Sequence, residues 1–393
     1  MKKSPKLLII SQALAPSVGG SPILMNNLFS SYQGEVYAIS GYTGARIDKD
    51  FKPAFQTKYF NPPKIPIIGK YIERYHDNIL KYVHPILIKR MVHEIRKYNP
   101  DIVFSHCPDI DYFICAYQAA VLCKVPFYSH MHDLWEENHG PDTYIGKMAI
   151  RWEKEIFTNS KRVFCMTSVQ QDHYYKKYKI KTDLLPHTIP DKILDETPAV
   201  FNDTTDNSLL FTGTVSKVMN LDSLRVLSDA TSELKKHMKI ILCTSATHNE
   251  FNTWNIKSND WEIKWMSRNE VQALQKQSAI LFAPLSCKNG GMDEIRTVFS
   301  TKILEYLISG RPILVFAPKG SFHEISATDG NWGLVVNEDN PDKLIKEALR
   351  LLNDKGLQKQ LVEGAFREAQ NRRSSIYSNK LMEWIGEDIQ QRN

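Results

Sequence analysis

Short apolar runs recur along the chain, separated by longer stretches of mixed polarity. In the first half the runs are KLLIIS (6–11), EVYAIS (35–40), DIVFSH (101–106), PFYSHMH (126–132) and RVFCMT (162–167). In the second half they are LLFTGT (209–214), KIILCTS (239–245), WEIKWM (261–266), AILFAPL (279–285), PILVFAP (312–318) and GLVV (333–336). Most are continuous rather than alternating, the pattern of strands covered by helices on both faces of a parallel sheet. The segments between them are mostly long enough for a crossover helix. A polar stretch with two prolines and no clear period, HTIPDKILDETPAVFNDTTDNS (187–208), separates the two series. The pattern predicts an α/β chain of two tandem Rossmann-like, doubly wound domains. The first spans 1–187, a linker 188–207 and the second 208–372, with a C-terminal helix over 373–393. One face of that helix carries Ile376, Leu381, Met382, Trp384 and Ile385, so it is expected to pack back on the N-terminal domain. Ligands of open α/β sheets bind beyond the carboxyl ends of the strands, so two such domains facing across a cleft suit a two-substrate reaction.

Length agrees with two domains, since 393 residues exceed one ordinary domain. Hydrophobic residues at 42% and charged residues at 24% fit a folded soluble chain. A net charge of +6 permits an anionic partner, but no arginine-rich arm or aromatic-basic module points to nucleic acid. The six cysteines form no CxxC pair and read as reduced thiols. The start, MKKSPKLLIISQALAPS, imitates a signal peptide, yet its apolar run covers only Leu7 to Ile10. A secretory core needs about 7–15 apolar residues, so the reading is retention in the cytoplasm. No run reaches the ~18–20 residues of a membrane span.

The most specific chemistry lies in VFSTKILEYLISGRPILVF (298–316). Ser300 suits an N-cap and Gly310-Arg311-Pro312 a stop. Lys302 then falls in the first turn, where the helix dipole is positive and a lysine is the wrong charge. A diphosphate there would meet first-turn N–H groups, the Ser300 and Thr301 hydroxyls and the Lys302 ammonium. Glu305, one turn deeper, can accept two hydrogen bonds from the vicinal diol of a ribose. The competing reading is an i,i+3 Lys–Glu surface pair worth a few tenths of a kcal/mol. Three other loops are candidates for ligand contact. Gly19 and Gly20 follow the first strand and precede a helix expected near Ser21-Pro22; they do not form a dinucleotide fingerprint. Gly213, Thr214 and Lys217 follow the first strand of the second half and could hold a phosphate through backbone N–H groups. Lys288, Gly290 and Gly291 lie on the long loop before the Lys302 helix. In PFYSHMHDLWEEN, His130 and His132 share a strand face and Asp133 follows at its end. His132 and Asp133 are candidates for the reacting centre at a cleft edge. A structural histidine and a metal ligand are the alternatives, and no third ligand of metal spacing follows.

STKILEYLISGRPIL resembles the P-[ST]-K-x-x-E-Y-x-x-x-G-[KR]-P-[IV]-L signature of GT-B glycosyltransferases related to family 4. PSVGGSP resembles that family's glycine loop, and HMHDLWEEN the DLWPE-type segment of its bacterial polysaccharide and lipopolysaccharide members. RVFCMTS resembles its strand before the linker, and GNWGLVVNEDNPDKLIKEALRLLND its G-x-G-L-V-V stretch. The resemblance spans nearly the whole chain and implies a nucleotide-diphosphate sugar as donor. It implies that Glu305 binds the donor ribose, that Lys302 lies near the diphosphate, and that Gly213 and Thr214 form the phosphate turn. It further implies that Gly19 and Gly20 face the reacting sugar and that His132 lies near it. Departures are Thr297 where many members have a second glutamate, Thr214 where they have a basic residue, and Ser300 for the signature proline. These leave donor and stereochemistry open.

The segment 64–98 has eight Lys/Arg against three Asp/Glu, interleaved with large apolar residues. It reads either as a surface resting on anionic lipid at the inner membrane face or as an ordinary pair of surface helices broken at Pro85. The first reading makes the acceptor a lipid-linked saccharide. The resulting expectation is a retaining hexosyl- or related transferase of cell-surface polysaccharide synthesis. It is independent of metal, needs no cofactor beyond the sugar nucleotide, and uses a saccharide or lipid-linked acceptor. The alternatives are a sugar-nucleotide epimerase or hydrolase of the same fold, or a nucleotide- or carbohydrate-binding protein without turnover.

Overall fold

The computed structural model describes residues 5–17, 20–41, 53–60, 72–107, 110–197, 200–201, 203–204, 206–289 and 291–391, leaving aside the side chains of 59 and 72–82. The chain divides into two compact units. One comprises Met1–Asp191 with Ser374–Asn393, the other Lys192–Arg373. The expected linker contains a short helix, and the division falls inside that stretch.

In the first unit the order is β1 (Lys6–Ser11), α1 (Gly20–Phe29), β2 (Glu35–Gly41), β3 (Gln56–Phe60), α2 (Ile72–Tyr98), β4 (Ile102–Cys107), α3 (Ile110–Cys123), β5 (Phe127–Met131), α4 (Tyr144–Asn159), β6 (Arg162–Cys165), α5 (Ser168–Tyr178) and β7 (Asp183–Leu184). The strands form one parallel sheet in the order β3-β2-β1-β4-β5-β6-β7. Its continuous apolar runs are explained by burial on both faces. Leu8, Ile10, Ile39 and Val103 pack with Leu87, Met91 and Phe113 from α2 and α3. The alternate residues Leu7, Ile9, Ala38 and Phe104 pack with Met25, Leu28 and Phe29 of α1.

After α6 (Asp191–Glu196) the second unit runs β8 (Ser208–Thr212), α7 (Leu221–Leu234), β9 (Lys239–Cys243), α8 (His248–Thr253), β10 (Trp261–Lys264), α9 (Arg268–Gln277), β11 (Ile280–Pro284), α10 (Asp293–Thr297), α11 (Lys302–Leu307), β12 (Ile313–Phe316), α12 (Phe322–Gly330), β13 (Leu334–Val336), α13 (Pro341–Asn353) and α14 (Lys355–Asn371). Its sheet is also parallel, in the order β10-β9-β8-β11-β12-β13. Strand order reverses between β1 and β4 in one sheet and between β8 and β11 in the other. Those are the points where such sheets bind ligands.

All eleven expected strands are present. β3 and β7 were not expected: both are sheet edges, one opening with three polar residues and the other two residues long. Pro85 does not break a helix pair, because α2 runs through it. Pro85 sits on the exposed side, while Leu87, Met91 and Ile95 stay buried, so the helix keeps its packed face through the proline. Among the described residues no helix is long and apolar enough to cross a membrane.

The last helix, α15 (Ser374–Gln390), belongs to the first unit. Leu381 and Ile385 enter the core beside α1, and Trp384 lies 5.3 Å from Phe164, whereas Ile376 is exposed. Asp388, 2% exposed, anchors it: Arg162 Nε and Nη2 donate to its two oxygens at 2.8 and 3.1 Å, and the Tyr128 hydroxyl donates as well. Removing a buried carboxylate strands its donors, a loss of about 2–3 kcal/mol. Asp388→Ala should therefore speed hydrogen exchange in 374–390 by roughly 30- to 100-fold, and unchanged protection there would refute the anchor.

Candidate active site

In the second unit β8 ends at Thr212, and its backbone turns at Gly213 with φ +121°, a conformation that favours glycine. The Gly213 N–H donates to the Cys243 carbonyl at 2.9 Å. Thr214 and Lys217 are exposed on the turn that follows, which Asn220 closes by donating to the Thr214 carbonyl and accepting from the Ser216 N–H.

Lys302 reaches this turn from α11. Its ammonium lies 4.3 Å from the centre of the Phe211 ring, and a Cβ added at Gly213 would stand only 3.1 Å from Nζ. Desolvation lowers its pKa from the usual lysine range to about 8. Among the described residues no carboxylate pairs with it. Glu305, on the same helix, is engaged elsewhere: Arg268 Nη2 lies 3.2 Å from Oε1 and Gln275 Nε2 donates to Oε2 at 3.4 Å. The i,i+3 Lys–Glu pair is thus not what the structure builds. Gln275 also donates to Thr212 Oγ1 at 3.4 Å, which links the Glu305 carboxylate to the end of β8.

The start of α11 differs from expectation. Thr301, not Ser300, is the N-cap, and it makes no side-chain capping bond. The Ser300 N–H is already donated to His323 Nε2 at 3.0 Å, so it is not one of the free first-turn donors. His323 can accept because burial first, then Lys302 and Arg372, hold it uncharged, with its pKa lowered to about 3. The Thr301 and Ser300 residues remain beside Lys302, and Gly310 ends the segment at φ +74°.

The loop after β11 is stitched to α7, where Asp222 Oδ2 accepts from Ser286 Oγ at 2.8 Å and from the Lys288 N–H at 3.0 Å. Gly290 lies outside the described residues. Gly291 is exposed, with open space where a Cβ would go, so nothing local requires a glycine there. Thr297 is buried and its hydroxyl donates to the Asp293 carbonyl at 2.8 Å.

In the first unit Gly20 is the exposed first residue of α1, slightly before the expected start, and Gly19 lies outside the described residues. His132 follows β5 and is largely buried rather than projecting from a strand end. Its Nδ1 lies 3.4 Å from Ser21 Oγ, and its ring stacks on His106. His130 Nε2 donates to the Leu185 carbonyl at 2.9 Å. Asp133 is partly buried, and desolvation raises its pKa. The loop beyond is held by buried Leu134 and Trp135 and by Lys177, which binds Glu136, Glu137 and Glu153 at 2.9, 2.6 and 3.2 Å. The histidines stack rather than converge. Among the described residues no group of three or more His, Cys, Asp or Glu is arranged to hold a metal ion.

The structure therefore gathers Gly213, Lys302 and Glu305 in one unit and places His132 and Asp133 in the other. Arg268, Gln275 and His323 were missed. A capping box at Ser267 and Glu270 announces α9, and Arg268 and Gln275 lie seven residues apart on one face of it, but only the fold brings that face to Glu305.

Residues 53–190 match the model described as Glycosyltransferase Family 4, and residues 206–354 the one described as glycosyl transferases group 1. An uncharacterized glycosyltransferase of Methanocaldococcus jannaschii is 23% identical over 231 residues, covering 57% of this chain; the match spans only 60% of that relative's length. A glycosyltransferase from Rickettsia africae superposes with a TM-score of 0.69 at 15% identity, covering all of both chains. Anabaena Alr3699/HepE, in complex with UDP and glucose, superposes with a TM-score of 0.65 at 11% identity, covering 98% of this chain and 99% of that one. At such identities the structural likenesses establish the two-domain α/β fold. With a glycosyltransferase model matching each half of the sequence on that fold, the chain belongs to the family 4-like GT-B glycosyltransferases.

Proposed function

We propose that this protein transfers a sugar, with retention, from a nucleotide-diphosphate sugar to a saccharide or lipid-linked saccharide during cell-surface polysaccharide synthesis. The observation that carries the reading is Lys302: a desolvated ammonium beneath a glycine turn, one helical turn from Glu305, with no carboxylate to neutralise it among the described residues. A donor diphosphate supplies the matching anion. As the bond to the sugar breaks, charge grows on the leaving diphosphate, and a fixed cation stabilises it more than it stabilises the intact donor. Glu305 holds the ribose and so sets where the diphosphate lies. Lys302 carries the leaving-group charge in this reading, so turnover is expected to persist in a chelator. The UDP bound by the Anabaena structure makes UDP-sugars the first donors to try.

A lipid-linked acceptor is favoured by the described outer face of α2. Lys89, His93, Arg96 and Lys97 are exposed there beside Ile86, which is 49% exposed, while Glu94 is buried and paired with Lys58.

The test is release of nucleoside diphosphate from UDP-, GDP-, ADP- and CDP-sugars, with and without cell-envelope lipid extract and with and without EDTA. The expected result is release from one donor class, dependent on the extract and indifferent to EDTA. Sugar conversion without acceptor would replace the reading by an epimerase or hydrolase. Binding without release would leave a non-catalytic protein.

A further inference from the structure

Four imidazoles gather in the first unit at the carboxyl ends of β4 and β5. His106 and His130 are register partners on these neighbouring strands. The His106 ring lies 4.5 Å from that of His132 at an interplanar angle of 21°, a face-to-face stack. His130 meets His132 edge-on at 4.6 Å and 83°. His187, from the segment after β7, closes the other side at 6.2 Å and 80°. His132 is 8% exposed, and its Nε2 is buried without a hydrogen bond among the described residues.

We propose that His106 is a positioning residue for the transfer reaction: its imidazole, stacked on His132, fixes the plane of the ring placed beside the reacting sugar. The inference rests on that role of His132. A ring with one face stacked and edge contacts on other sides cannot turn about its side-chain bonds without displacing its neighbours. His106 is itself tied to the switch-point strand, with Nε2 3.4 Å from Ser11 Oγ of β1. The stack therefore ties the ring plane of His132 to the two strands at which ligands of such sheets bind.

The electrostatics agree with the geometry. Burial first, and then His106, His130 and His187, hold the pKa of His132 well below the ordinary imidazole range. Among the described residues these three are the titratable groups whose charge acts on it: one from β4, one from β5 and one from the segment after β7. His132 thus stays a neutral ring, with Nδ1 at Ser21 Oγ and Nε2 without a hydrogen bond among the described residues.

The test compares full-length wild type with His106→Ala and His106→Phe, since phenylalanine keeps the stack and removes the nitrogens. Ring NMR follows the titration of His132, and UDP release from UDP-glucose in the presence of the cell-envelope lipid extract supplies the rate. In the wild type His132 should titrate well below the ordinary imidazole range. In His106→Ala, where the stacked face opens and one neighbouring imidazole is gone, its titration should move up toward that range. UDP release should then fall tenfold or more at saturating donor with KM changed less than about twofold, because a displaced group costs rate rather than binding. His106→Phe should recover most of the rate and the wild-type titration. An unaltered titration and rate in His106→Ala would overturn the proposal, as would a His106→Phe variant as slow as His106→Ala. If the wild type releases no UDP even with the extract, the assumed donor or acceptor is wrong, while the ring titration still decides whether His106 holds the His132 ring.

Discussion

Glu305→Ala should lose nucleotide affinity by roughly a hundredfold or more. The carboxylate accepts two hydrogen bonds from the ribose diol in this account. Hydrogen bonds to a charged group contribute about 1.5–3 kcal/mol each, and 1.4 kcal/mol is a tenfold change. The fold should barely notice. Glu305 is 28% exposed and its partner Arg268 is 53% exposed, and such pairs contribute at most about 1 kcal/mol. Gln275 keeps its bond to Thr212 when the carboxylate goes. Calorimetric titration with UDP, alongside a melting curve, separates the two effects. Unchanged affinity would count decisively against the ribose clamp, and lost affinity with a collapsed melting temperature would show only that the variant is misfolded.

Lys302→Met should abolish most diphosphate affinity and leave the free protein as stable or more so. Methionine can keep the stem against Phe211, while the desolvated charge disappears. The pH dependence gives a sharper signature. The folded protein holds Lys302 at about 8, against about 10.4 for an unperturbed lysine. Between these values the unfolded chain binds more protons, so stability rises with pH through that window and the desolvation cost is fully present below about 8. Nucleotide binding runs the other way, because a bound diphosphate favours the protonated lysine. Above pH 8 binding should take up a proton, and affinity should fall by up to about tenfold per pH unit. Titrations at pH 8.5 in two buffers of different ionisation enthalpy measure the uptake. Lys302→Met should show none, and equal uptake in both proteins would place the titrating group elsewhere.

The parts of this molecule legible in its sequence are those set by local pattern. Most of the eleven expected strands announce themselves because both faces are buried, so no polar alternation interrupts them; β10, a sheet edge, is the alternating exception. β3 escapes notice because QTKYF lies at a sheet edge and opens with three polar residues, so it shows no apolar run. Lys302 and Glu305 are legible because a single helical turn relates them. Their real partners are not. Arg268 and Gln275 lie 37 and 30 residues from Glu305, and His323 lies 23 residues from Ser300. Which helix they face depends on strand order, and the pairing rules within one helix say nothing about it. The His106–His132 stack was hidden for the same reason, since two strands had to become neighbours before the rings could meet.

The central claim is that a nucleotide diphosphate is held by Lys302 and Glu305. A crystal structure of the full-length protein grown with UDP tests it most directly. Ribose hydroxyls should be hydrogen-bonded to the Glu305 carboxylate, with a phosphate oxygen at the Lys302 ammonium beneath Gly213. UDP bound with neither residue in contact would contradict it.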